Sequence, residues 1–261
     1  MSVFKIVIIG SGNVAYQLAW HLHNSGHEII QIVSRHIDAA KWIGNLMEVP
    51  STNRYSEVSL LADIYLLTVK DDAIDEVANQ LNLADKVIAH TSGSVGLNAL
   101  QKASKNYGVF YPLQTLSRNV SVDFSHIPIC IDASNSHTAI RLKELAATLT
   151  NKIIEADDQK RLAIHVAAVF ANNFTNHLFS IAQMLLERNG LSFEILKPLI
   201  HETVRKIQNH DPLNVQTGPA IRHDEHTIKK HLDFLKDDHQ FAEIYSALTE
   251  DIQQWKIGNE A

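Results

Sequence analysis

Short apolar runs alternate with helical patterns through the first 155 residues of the chain. The runs are Val3–Ile9, Ile29–Val33, Ile64–Val69, Val87–His90, Val109–Tyr111 and Ile127–Ile131, several of them continuously apolar and rich in Val and Ile. Runs of that kind suit parallel strands covered on both faces. Between the first two, Val14, Leu18 and Leu22 recur at every fourth position, and Asn24-Ser25-Gly26 supplies a glycine stop. Ile74, Val77, Ala78 and Leu81 mark one face of a helix over Asp71–Leu81, with Asp71 or Asp72 as its N-cap. The alternation predicts a doubly wound α/β domain over residues 1–155.

From about Ala156 the strand signal disappears, and residues 156–261 read as an all-α domain. Asp157–Asn189 is one long helical pattern with a wide apolar face, carrying Leu162, Val166, Phe170, Phe174, Leu178 and Leu185 among others. A face that wide predicts a central bundle helix or a dimer interface, and a homodimer is expected. Further helices are expected at Ser192–Gln208, Asp224–Lys236 and His239–Gln253, with His210–His223 as an ordered loop.

The first apolar run leads into Gly10-Ser11-Gly12-Asn13-Val14-Ala15, a G-x-G-x-x-A pattern in strand–turn–helix context. Gly10 permits the tight turn, Gly12 lets the backbone approach a pyrophosphate, and Ala15 allows close helix–strand packing. Unpaired N–H groups at the helix start, beginning at Asn13 and Val14, then face the phosphates. The pattern alone also fits a structural glycine turn. An NAD site carries Asp or Glu near the end of the second strand. Here that stretch reads Ile32-Val33-Ser34-Arg35-His36. Ser34 and Arg35 suit a 2′-phosphate, so NADP is the expected cofactor, unless Arg35 is an ordinary surface arginine.

Ligands of open parallel sheets bind beyond the carboxyl ends of the strands. Three polar segments lie at such ends: Thr68–Asp72, His90–Ser94 and Tyr111–Thr115. Val69 is a candidate for packing on the cofactor. Thr91 and Ser92 are candidates for the nicotinamide end, with turn capping as the other reading. Gln114 and Arg222 are candidates for holding substrate. The long helix adds His165 and Asn172, seven residues apart and therefore on one face. Imidazole exchanges protons near neutral pH, so His165 reads as a proton donor or as a hydrogen-bonded core histidine. Asn172 would orient substrate.

Composition narrows the partners. Lys+Arg 23 minus Asp+Glu 29 gives a net charge of −6, with no basic block, which argues against nucleic acid. A lone cysteine, Cys130, excludes an internal disulfide framework and fits an inert core thiol. His223, His226 and His231 are spaced by three and five and His21 and His23 by two; two of those spacings fail to put both rings on one helix face, and no metal site is expected. No apolar run approaches the roughly 18 residues of a membrane span. No signal peptide is evident, so a cytoplasmic protein is expected.

Six segments occur in order: GSGNVA at 10–15, DIYLLTVKDDAI at 63–74, HTSGS at 90–94, YPLQTLS at 111–117, HVAAVFANNF at 165–174 and TGPAIRHD at 217–224. Together they resemble the Rossmann-like NADP oxidoreductases that carry a C-terminal helical domain of unknown function. The wider group contains pyrroline-5-carboxylate reductase, 6-phosphogluconate and β-hydroxyacid dehydrogenases, and deazaflavin-dependent NADP reductases. The resemblance implies an NADP-binding domain, a helical dimerisation domain and a reaction site between them. It gives no substrate; the function expected is hydride transfer between nicotinamide and a small carbonyl, imine or hydroxy compound in the interdomain cleft. β-Hydroxyacid dehydrogenases place Lys and Asn four apart on the long helix, where this chain has His165 and Val169. Their lysine mechanism therefore does not carry over. A dimer that binds NADP as a sensor or scaffold, without turnover, is the alternative.

Overall fold

A computed structural model of the chain describes residues 2–259, with side chains up to residue 254. It divides into two compact units, Met1–Asn173 and Phe174–Ala261.

The first unit is built on one eight-stranded sheet. The strands are β1 (Lys5–Ile9), β2 (Glu28–Val33), β3 (Ser51–Thr52), β4 (Ile64–Leu67), β5 (Val87–His90), β6 (Asn106–Pro112), β7 (Ile129–Ala133) and β8 (Ile153–Glu155). Their spatial order is β3-β2-β1-β4-β5-β6-β7-β8. Strands β1 to β6 pair in parallel, β7 runs antiparallel to β6, and β8 is parallel to β7. The reversal follows from the 113–128 connection, which carries no α-helix across the sheet as a parallel crossover requires. Two strands were not readable from the apolar runs: β3 has two residues and β8 three.

Alternate strand residues feed two cores. Ile6, Ile8, Ile64, Leu66 and Ala89 face one side, with helices α1 (Asn13–Asn24), α2 (Ile37–Met47) and α4 (Ser136–Ala147). Val7, Ile9, Tyr65, Leu67 and Ile88 face the other, with the short helix α3 (Ile74–Ala78). Ala15, Leu18, Ala19 and Leu22 bury one face of α1, and Gly26 follows its end at φ +89°. The helix expected over Asp71–Leu81 is shorter: Asp71–Ala73 is a 3₁₀ turn and no side chain caps α3. The Asp71 carboxylate is engaged elsewhere, accepting from Ser94 Oγ at 2.6 Å.

The first unit runs past residue 155 because helix α5 (Asp158–Ala168) is fastened to the sheet. Asp157 caps it, accepting from Lys160 N at 2.8 Å. Asp158 accepts from Leu97 N at 2.9 Å. Arg161, only 1% exposed, donates to Val95 O at 2.6 Å and to Asp158 at 2.7 Å, and lies 3.6 Å from Asp132. The pattern expected as one helix over Asp157–Asn189 is helical throughout, but Val169–Phe174 is a π-helical segment.

The second unit holds α6 (Thr175–Arg188), α7 (Lys197–Asn209), α8 (Glu225–Phe234) and α9 (His239–Asn259). Asp224 caps α8, accepting from Thr227 N and Oγ1. Arg188 pairs with Asp238 and lies over the Phe241 ring. Few of its side chains are fully buried, and Ile195, Leu199 and Phe234 are 57%, 62% and 63% exposed. Among the described residues no helix is long and apolar enough to cross a membrane.

His90, at the end of β5, is fully buried; its Nδ1 accepts from Ser92 N at 3.2 Å. Burial, and then the nearby Arg161 charge, push its pKa down from 6.5 to about 4. The unfolded chain therefore binds a proton that the folded chain refuses. That contribution is complete above pH 6.5 and is lost as pH falls toward 4. At about 1.36 kcal/mol per pKa unit it amounts to about 3 kcal/mol. His90→Asn, which keeps an acceptor for Ser92 N, should flatten the fall in denaturation free energy between pH 7 and pH 4 by about that amount. An unchanged slope would contradict the assignment.

Candidate active site

The carboxyl ends of β1 and β4 meet at the point where strand order reverses. Gly10 sits there at φ +136°, its N–H donating to Val33 O at 2.7 Å. A Cβ on Gly10 would lie 2.3 Å from Thr68 Oγ1 and 2.7 Å from Thr68 O, so only glycine allows the turn. Gly12 is the N-cap of α1, and no side chain satisfies the first N–H groups of the helix. A Cβ on Gly12 would meet nothing within 4 Å. Open donors, open space and the positive end of a helix form a cradle that fits a pyrophosphate.

The remaining candidates of this region surround that turn. Ser11 Oγ and Ser34 Oγ are 2.7 Å apart, and Ser34 Oγ also accepts from His36 N at 3.3 Å. Arg35 is exposed just beyond β2, near enough to Tyr55 for its charge to oppose the rise that burial imposes on the Tyr55 hydroxyl. Asn13 and Val14 open α1. Val69 is partly buried against the second core, and Thr91 is tied to Leu67 O.

Beyond β6 a groove of about 590 Å³ is lined by Tyr111, Leu113, Gln114 and Thr115 on one side. The opposite side is the α5 stretch from Ile164 and His165 on to Asn172 and Asn173. His165 Nδ1 lies 3.1 Å from the Tyr111 hydroxyl, with the two rings edge to face. Burial raises the Tyr111 pKa, and its protonated hydroxyl can donate to Nδ1 or accept from it. That bond fixes the orientation of the imidazole ring in the groove. Gly93 makes the approach possible: a Cβ there would sit 2.7 Å from His165 Nδ1 and 2.9 Å from Tyr111 Cζ.

Asn172 and Asn173 both line the groove, although an α-helix would set them about 100° apart, with only Asn172 near His165. The π-helical segment Val169–Phe174 widens the turn and changes that phase.

Other candidates are placed differently. Ser92 is buried, and its Oγ accepts from Ser94 N at 3.1 Å and Val95 N at 3.0 Å. Its hydroxyl thus caps a turn, and no chemical step is assigned to it. Gln114 lines the groove with its Oε1 held by Thr115 N at 2.8 Å. Arg222 lies exposed in the second unit, on the turn before α8. Cys130 is buried, which raises its thiol pKa. Among the described residues no group of three His, Cys, Asp or Glu could hold a metal.

Sequence reasoning missed Tyr111, Gly93 and Arg161 as determinants of this site. Tyr111 had one available signal, its position at a strand end beside other polar residues. Gly93 and Arg161 had none, because a close approach and a buried cation arise only from packing.

Two family models match. Residues 5–92 match the NADP oxidoreductase, coenzyme F420-dependent, domain, and residues 127–252 match a domain of unknown function, DUF2520. No curated protein is significantly similar in sequence. Among solved structures, the "putative NADP oxidoreductase BF3122 from Bacteroides fragilis" is 39% identical, with a TM-score of 0.90 over 97% of this chain and 98% of that one. A pyrroline-5-carboxylate reductase from Streptococcus pyogenes is similar in fold, at 13% identity and TM-score 0.64 over 97% and 99% of the two chains. So is an imine reductase from Myxococcus stipitatus in complex with NADP+, at 14% identity and TM-score 0.64 over 96% and 93%. The chain belongs to the family of NADP oxidoreductases in which a domain of the coenzyme F420-dependent type is joined to a DUF2520 domain.

Proposed function

We propose that the protein transfers hydride between NADP and a small carbonyl, imine or hydroxy compound held in the groove between β6 and α5. The observation that carries this reading is the His165–Tyr111 pair, with Asn172 and Asn173 beside it, on a groove beyond the carboxyl ends of the parallel strands. When bound, the dinucleotide supplies the hydride that adds to the substrate carbon. His165, entering the step as the imidazolium, would give a ring proton to the substrate oxygen or nitrogen as the hydride adds and be left as neutral imidazole. Tyr111 holds the imidazole ring in place, and the two asparagine amides orient the polar end of the substrate. Gly10, Gly12 and the start of α1 receive the pyrophosphate. Ser34 and Arg35 receive the 2′-phosphate, which favours NADP over NAD.

The cofactor assignment is tested by titration. NADP should bind more tightly than NAD, and Arg35→Ala should narrow the gap about tenfold or more, the worth of a charge-assisted bond of about 1.5–3 kcal/mol. Equal affinity of the unaltered protein for both would refute it. For the chemistry, a metabolite screen following NADPH absorbance comes first. On the substrate so found, His165→Ala should lower turnover about 10²–10⁴-fold while leaving NADP affinity unchanged. A variant that only melts earlier and turns over normally would return His165 to a structural role. The apolar side chains exposed on the second unit support assembly as a homodimer. Light scattering at micromolar concentration should give twice the chain mass of 29.2 kDa, and a monomer mass would refute the dimer.

A further inference from the structure

The 113–128 connection does more than reverse the chain between β6 and β7. Its middle lies along α1: Gln17, buried on that helix, donates to Val120 O at 3.2 Å and to Ser117 O. Those bonds bring Arg118 to the nucleotide loop, where its Nη2 donates to the carbonyl of Ser11, the residue between Gly10 and Gly12. The Arg118 guanidinium stacks 5.0 Å over the ring of Trp42 on α2, and Trp42 packs on Tyr16 of α1.

The protein satisfies this half-buried cation only in part, leaving Nη donors open to a ligand or water. A guanidinium has five N–H donors, and among the described residues one carbonyl is the acceptor that Arg118 finds. Its Nε is out of reach of water and has no acceptor. No carboxylate among the described residues pairs with it. It also sits beside the start of α1, where the helix dipole is positive and a second positive charge is unfavourable unless an anion arrives. Stacking on Trp42 holds the guanidinium in place before any ligand binds, so little ordering is left to do on binding.

We propose that Arg118 is a phosphate-binding residue of the dinucleotide site, delivered by the β6–β7 connection. This rests on the NADP reading above. The shared chemistry is a phosphate of the dinucleotide, either the pyrophosphate or the 2′-phosphate.

Calorimetric titration with NADP and NAD, alongside thermal unfolding of the free protein, tests it. Arg118→Gln keeps a donor for Ser11 O and removes the charge. It should raise the NADP dissociation constant about tenfold or more with the melting temperature unchanged. Arg118→Ala should weaken binding at least as much. Equal weakening for both dinucleotides identifies the pyrophosphate as the partner, and weakening confined to NADP identifies the 2′-phosphate; either supports the proposal. Normal NADP affinity in Arg118→Gln would overturn it and leave Arg118 as a pin for the connection. Failure of the unaltered protein to bind NADP would overturn the nucleotide reading itself, and this proposal with it.

Discussion

The candidate site depends on one buried cation. Arg161 binds α5 to the loop after β5 through Val95 O and to β7 through the charge of Asp132, and it pairs within the helix with Asp158, which itself accepts from Leu97 N of that loop. Burying a guanidinium is costly unless charge and hydrogen bonds compensate it; here two carboxylates and a carbonyl do so in part, with Nη2 bonded and Nε and Nη1 left without a hydrogen-bond partner. Arg161 lies about one helical turn before His165. Its position therefore sets where the imidazole meets Gly93 and Tyr111. The fastening holds α5 against the sheet, and with it the histidine beside Tyr111.

Parallel pairing does the rest. Because β1, β4, β5 and β6 all run the same way, Gly10, Thr68, the His90–Gly93 stretch and Tyr111 come out at one end of the sheet. Each of those ends then takes a different chemistry. The β1 end offers backbone donors and space. The β5 end offers a buried neutral histidine and a glycine on which other groups pack. The β6 end offers a tyrosine hydroxyl 3.1 Å from His165 Nδ1.

Much of this was legible in the sequence where a pattern repeats or a motif has fixed spacing. Continuous apolar runs marked the long parallel strands, and Gly10-Ser11-Gly12 marked the nucleotide turn. Strands β3 and β8 carried no signal because two or three residues make no period. The direction of β7 depended on what its connection lacked. The pairing of His165 with Asn172 rested on uniform helical turns, and the π-helical segment changed the phase so that Asn173 joined them. Ser92 read either as a contact at the nicotinamide end or as a turn cap, and its oxygen accepts from two backbone N–H groups as a cap does. Arg161, Gly93 and Arg118 matter through contacts at long sequence separation, which no local pattern reports.

The account claims that nicotinamide chemistry takes place where His165 and Tyr111 meet. A crystal structure of the protein soaked with NADP+ tests this most directly. The account predicts the pyrophosphate at Gly10–Asn13 and the nicotinamide ring in the groove beside His165, with Tyr111 still bonded to Nδ1. A dinucleotide bound at Gly10–Asn13 with its nicotinamide directed away from that groove would contradict it.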